Sequence, residues 1–119
     1  MHALLIEDDY IVTLLVEDAL RPLGYSAFDR AESVADAVRL AARACPDLIV
    51  ANHRIVDGTG TDAVLAICAD KSIPVVFVTA SRDEVQARLP DALIVDKPFV
   101  SAILHDAVRK AVERPFLPA

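Results

Sequence analysis

No stretch of this sequence approaches the roughly 20 consecutive apolar residues that cross a bilayer. Met1 runs almost directly into an apolar segment, which leaves no room for a secretory leader, so a cytoplasmic location is expected. Basic residues are scarce as well: 12 Lys and Arg against 18 Asp and Glu give a net charge of -6, and the cations are dispersed. Direct nucleic-acid binding, which normally leaves a basic face or stripe, is not expected. Cysteine is limited to Cys45 and Cys68, far apart and without Cys or His neighbours at zinc-ligand spacing, so both read as small packing residues. Low-complexity blocks are missing, and nothing in the chain reads as an effector domain.

What the chain does have is apolar material in short, regularly spaced runs. At 119 residues and 55% hydrophobic content, it has the size and the core of one domain. Runs of four to six apolar residues alternate with segments of helical period, a pattern of parallel strands covered on both faces by helices. Strands are expected at roughly 3–7, 25–29, 47–52, 74–79 and 92–96. The first helix spans about 10–20, with Asp9 as a cap and Pro22 and Gly24 as its stop. The second starts after Ser33 and ends before Pro46, and the third covers about 60–70. The fourth is a short polar segment near 81–88, and the fifth covers about 100–113. Residues 1–114 form the domain, and 115–119 read as a C-terminal tail.

Four of the apolar runs end in polar residues. Glu7 and Asp8 follow the first strand, Asn52 ends the third, Thr79 ends the fourth and Lys97 follows the fifth. In an open doubly wound sheet, groups at the carboxyl ends of parallel strands converge on one crevice, where strand order reverses. Each residue alone has an ordinary explanation as a helix cap or a solvated loop residue. An acidic pair, a hydroxyl and a Lys-Pro, each at the carboxyl end of a different strand and in this order, point together to a phosphoryl site.

With these residues in place, the chain resembles the receiver domain of two-component response regulators along essentially its whole length. The matching stretches are Glu7-Asp8-Asp9, Pro46-Asp47-Leu48-Ile49-Val50-Ala51, Asp57-Gly58-Thr59-Gly60, Thr79-Ala80 and Lys97-Pro98-Phe99. The resemblance implies an α/β fold: a single (βα)5 doubly wound domain, flavodoxin-like, with a five-stranded parallel sheet of order 2-1-3-4-5. It also implies Mg²⁺ held by Asp8 directly, by Glu7 mostly through water and by the backbone carbonyl of Arg54, with Thr79 and Lys97 on the phosphoryl oxygens.

Asn52 breaks this pattern, because the family places its phosphoacceptor aspartate there. An amide lacks the carboxylate oxygen that attacks phosphorus, and it is a weaker metal ligand, so Mg²⁺ binding through Glu7, Asp8, Asn52 and Arg54 is weakened. Val56 stands where the family usually has proline, and Ile94 stands at the aromatic switch position. The reading is a cytoplasmic pseudo-receiver of a two-component or phosphorelay system. It is non-enzymatic and acts through contacts with a histidine kinase, phosphotransferase or effector.

The resemblance places the interaction surface on the fourth helix, fifth strand and fifth helix. Its candidates are Val85, Ala87, Arg88, Ile94, Val100, Ile103 and Leu104, and homodimers through this face are permitted. The alternative is a conventional Mg²⁺-dependent phosphoaccepting receiver whose aspartate was mutated to Asn52. A flavodoxin-like binder of another family is disfavoured, because Glu7-Asp8-Asp9 repels a bare phosphate where such a binder would place Gly, Ser or Thr amides. His53 reads as a loop or surface histidine, and the polar fourth helix as weakly anchored and mobile.

Overall fold

Leu4, Ile6, Ile49, Ala51 and Phe77 pack into one apolar cluster, while Leu5, Val50, Val76, Val78 and Val95 pack into another. The alternation follows from the period of two along a strand, and both sides are dry because helices cover both faces. The computed structural model describes residues 1–116. Its principal strands are β1 (His2–Ile6), β2 (Ala27–Ala31), β3 (Leu48–Ala51), β4 (Val75–Thr79) and β5 (Ile94–Asp96). All pairings among them are parallel, and their spatial order is β2-β1-β3-β4-β5, the doubly wound arrangement expected from the resemblance.

The helices are α1 (Tyr10–Leu20), α2 (Val34–Arg43), α3 (Gly60–Ile67), α4 (Arg82–Arg88) and α5 (Ser101–Glu113). Residues of α2, α3 and α4 (Ala37, Ala41, Ala63, Val64, Ile67, Val85) close the first cluster. Val16, Ala19 and Leu20 of α1, with Leu104, Val108 and Ala111 of α5, close the second. Side-chain caps set three helix starts: Asp9 accepts from the amides of Ile11 and Val12, Ser33 from Asp36, and Thr59 from Asp62. Among the described residues no helix is long and apolar enough to cross a membrane.

Several details depart from the sequence reading. β2 begins at Ala27 rather than 25, because Tyr25 is buried and its amide bonds back to the Leu20 carbonyl beneath the end of α1. Between β3 and α3 the chain adds an antiparallel pair, Arg54–Ile55 with Gly58–Thr59, that carries no apolar period. Cys68 is buried, as a packing residue should be, and burial pushes its thiol up to about 11. Cys45 is exposed instead, in the turn after α2. Within the expected tail, the amide of Phe116 donates to Ile73 O at 2.9 Å; residues 117–119 lie outside the described residues.

Candidate functional site

Strand register brings the polar residues together. Ile6 stands opposite Ala51 and Ala51 opposite Phe77, while Thr79 stands opposite Asp96. The residues that follow extend the ladder: Asn52 N donates to Ile6 O at 2.8 Å, and Lys97 N to Thr79 O at 3.0 Å. Glu7, Asn52, Thr79 and Lys97 therefore line the carboxyl edge of the sheet, Glu7 and Asn52 at the ends of β1 and β3, the two strands that flank the reversal of order, and Thr79 and Lys97 at the ends of β4 and β5 beside them.

Glu7 is a buried carboxylate, 8% exposed, and it is fully engaged. Oε1 accepts from Lys97 Nζ at 2.5 Å, and Oε2 accepts from Asp8 N at 3.0 Å and from Asn52 Nδ2 at 3.1 Å. A cation and several N–H donors satisfy the oxygens of this buried carboxylate. Asp8 is exposed at the start of the loop into α1, with its amide on Glu7 Oε2.

The Asn52 amide is the centre of the arrangement. Nδ2 donates both to Glu7 Oε2 and, at 3.0 Å, to Arg54 O; Oδ1 accepts from His53 N at 2.9 Å. Glu7 and the Arg54 carbonyl only accept, and the His53 amide only donates, so one orientation of the side chain satisfies all three. Oxygens that would serve a divalent cation are already held by the amide hydrogens, and Oδ1 is turned to a backbone donor. Among the described residues no group of three or more His, Cys, Asp or Glu side chains is placed to hold a metal. Among these residues Asn52 offers an amide oxygen, a weaker ligand for Mg²⁺ than a carboxylate.

Thr79 is fully buried, with Oγ1 accepting from Ser81 N at 3.0 Å. His53 corrects the sequence reading: it is 4% exposed, Nδ1 lies 3.0 Å from Thr61 Oγ1 and Nε2 lies 2.9 Å from Glu84 Oε2. It is buried although it follows the strand end, because α3 and α4 close over it. Arg54 reaches the same carboxylate, with its guanidinium on Glu84 Oε1 and, at 3.3 Å, on Ser81 Oγ.

The candidates for an interaction surface divide. Val100 and Ile103 are more than half exposed, and Ile94 is half-buried. Val85 has no exposed surface and packs in the core, so it cannot be a surface contact; Leu104 is likewise fully buried. Arg88 turns towards α3, with Nη2 2.8 Å from Asp62 Oδ1 and Nη1 donating to Thr59 Oγ1 at 3.2 Å.

Helix α4, which its composition suggests is weakly anchored, makes charged contacts to other elements. Arg82 Nε lies 3.0 and 3.1 Å from the two Asp96 oxygens, and Nη2 donates to Asp96 Oδ2 and Ile94 O, each at 3.0 Å. No local periodicity signals such a pair, because its members sit in different elements. The guanidinium holds the Asp96 carboxyl below the ordinary carboxylate range, and the Thr59 and Arg88 hydrogen bonds do the same for Asp62. A depressed folded-state pKa contributes stability above the unfolded value, about 3.9 for aspartate, and loses it as pH falls through the folded value. Amide exchange in residues 82–89 is therefore expected to stay slow at pH 5 and to accelerate, relative to the core strands, only below about pH 3.9. Acceleration already between pH 6 and 5 would rule out these two carboxylates as the anchors.

The comparisons agree with this geometry. Residues 3–109 match the response regulator receiver domain family. Over 113 residues the chain is 32% identical to the phyllosphere-induced regulator PhyR of Methylorubrum extorquens, covering 88% of this chain and 42% of that protein. The chain thus spans about two-fifths of that relative's length. The solution structure of the PhyR receiver domain from Erythrobacter litoralis superposes with a TM-score of 0.87 at 25% identity, covering 99% of this chain and 94% of the other. The receiver domain of the sensor histidine kinase PA1611 from Pseudomonas aeruginosa, solved with a magnesium ion in its active-site cleft, gives 0.79 at 26%, covering 94% and 97%. Family match, strand order and the polar residues at the strand ends lead to one conclusion: the chain belongs to the response regulator receiver domain family and is a receiver domain of two-component signalling.

Proposed function

We propose that this receiver domain accepts no phosphoryl group at residue 52, has no enzymatic activity of its own, and signals in the cytoplasm through protein contacts. One observation carries the reading: the side chain at the acceptor position is an amide whose nitrogen and oxygen are both committed, to Glu7, Arg54 O and His53 N. Forming an acyl phosphate needs a carboxylate oxygen to attack phosphorus and a leaving group to depart, and an amide supplies no such nucleophile. Partners in this reading are the proteins a receiver meets: a histidine kinase, a phosphotransferase or an effector. The β5 and α5 side, where Val100 and Ile103 are exposed, is the surface offered to them or to a second copy of the chain.

A second reading has its own support. Lys97 and Thr79 stand at the strand ends where a phosphoryl group would need a cation and a hydroxyl, which fits a phosphoaccepting receiver whose aspartate was exchanged for Asn52. Intact-mass measurement separates the two, on this chain and on Asn52→Asp, each incubated with Mg²⁺ and a small-molecule phosphodonor. The unaltered chain is expected to gain no mass. One phosphoryl mass on the aspartate form alone favours the second reading, whereas no gain on either favours a long-diverged domain. A gain on the unaltered chain would sink the proposal.

A further inference from the structure

Helix α4 has seven residues, and Val85 alone among them is buried, so apolar packing does little to fix its position. Charged clamps do so instead. Arg82 ties its first turn to β5 through Asp96, and Arg88 ties its last turn to α3 through Asp62. A third clamp lies between them and faces the site. Glu84 receives the Arg54 guanidinium on Oε1, and its Oε2 lies 2.9 Å from Nε2 of the buried His53.

Arg54 stands at both ends of this connection. Its carbonyl is held by Asn52 Nδ2 at 3.0 Å, and its guanidinium holds Glu84 and, at 3.3 Å, Ser81 Oγ. An exposed arginine–glutamate pair by itself contributes little, since screening and side-chain entropy offset its attraction. This pair differs because each side of it is held in advance, Glu84 against His53 and Arg54 at its backbone. His53 is fixed by burial and by Thr61 Oγ1, and the Arg54 backbone is pinned by the Asn52 amide. The guanidinium therefore starts from a fixed root and meets a carboxylate that is already oriented.

We propose that Arg54 is a positioning residue that couples the Asn52 site to helix α4, with the Asn52 amide nitrogen standing in for a cation and holding α4 in a single position. The proposal deepens the functional reading above and rests on it: a residue 52 that is never modified keeps the clamp permanently set. The output face is then fixed by hydrogen bonds internal to the chain, with no ligand to release them.

Hydrogen exchange of the full chain, read in residues 82–89 with α2 as internal control, tests this. Arg54→Ala removes the guanidinium but leaves the carbonyl, and the side chain is 72% exposed, so the fold should persist. Exchange in 82–89 is expected to rise about five-fold in Arg54→Ala and Glu84→Gln, the loss of one charge-assisted hydrogen bond in a partly exposed setting. It is expected to rise similarly in Asn52→Ala, although among the described residues the Asn52 side chain hydrogen-bonds to Glu7, His53 and Arg54, none of them in α4. The Asn52→Ala/Arg54→Ala double variant should then exceed neither single one in this segment. An effect of Arg54→Ala without one of Asn52→Ala would reduce the clamp to a local surface bridge, and no effect of either would remove it; both overturn the proposal. Should Asn52→Ala fail to fold, Asn52→Ser, whose hydroxyl is too short to bridge Glu7 and Arg54, draws the same distinction. A phosphoryl mass on the unaltered chain would sink the functional reading by a separate measurement.

Discussion

Asn52→Asp is expected to melt about 8–12 °C below the unaltered chain in EDTA, taking about 4 °C per kcal/mol for a domain of this size. It is also expected to recover most of that loss in millimolar Mg²⁺, to which the unaltered chain does not respond. The cause is the exchange of a donor for a charge. Asn52 Nδ2 lies 3.1 Å from Glu7 Oε2 and 3.0 Å from Arg54 O, and an aspartate would place an acceptor against both. Two carboxylates at this separation repel by about 4 kcal/mol at an effective dielectric constant near 20. Lys97, 2.5 Å from Glu7 Oε1, offsets part of this, leaving a net loss of about 2–3 kcal/mol once the unpaired Arg54 carbonyl is included. A cation bound at 100 times its dissociation constant contributes about 2.7 kcal/mol, enough to cancel the loss. Equal melting points for the two chains in EDTA would show that the Asn52 amide does not bridge Glu7 and Arg54 as described.

The same residues mark how much of the site is legible in the sequence alone. Strands buried on both faces appear as uninterrupted apolar runs, so their ends are visible as the first polar residue. That is why Glu7, Asn52, Thr79 and Lys97 stood out, and why their convergence followed from sheet topology. The chemical deficit at Asn52 needed no structure, because an amide is not a nucleophile towards phosphorus wherever it sits. What the amide does instead was hidden, since its partners are a carboxylate 45 residues away and a backbone carbonyl. His53 was misread for a related reason. Strand alternation stops at Ala51, and burial beyond it depends on helices whose placement no local period encodes. Helix α4 illustrates the converse: its polar composition suggested loose anchoring, yet Arg82, Glu84 and Arg88 are the anchors, each paired with a residue in another element. Val85, the one large apolar residue in a polar helix, is the residue that must face the core, and that inference was available from the sequence.

Gly60→Ala is expected to cost about 3 kcal/mol or more, at the upper end for forcing added atoms into a packed site, and to lower the melting temperature by about 12 °C or more. Gly60 opens α3 directly behind the site, where its amide donates to His53 O at 2.6 Å. A methyl group there would sit 1.8 Å from Asn52 O and 2.9 Å from Asn52 C. Both are backbone atoms, so relief requires moving the end of β3 or the start of α3, and with it the root of the Asn52 side chain. Backbone freedom is not the reason, because Gly60 does not adopt a positive φ. Gly24 offers the contrast: its φ is +98°, but an added methyl would meet only the flexible end of Met1 at 3.2 Å. Gly24→Ala therefore carries the left-handed backbone penalty of about 1–2 kcal/mol and little else. Thermal melts of the two variants decide the matter, with Gly60→Ala expected to be the less stable. If Gly60→Ala melts at or above Gly24→Ala, the close approach of α3 to the Asn52 carbonyl is wrong, and with it the rigid backing assigned to the site.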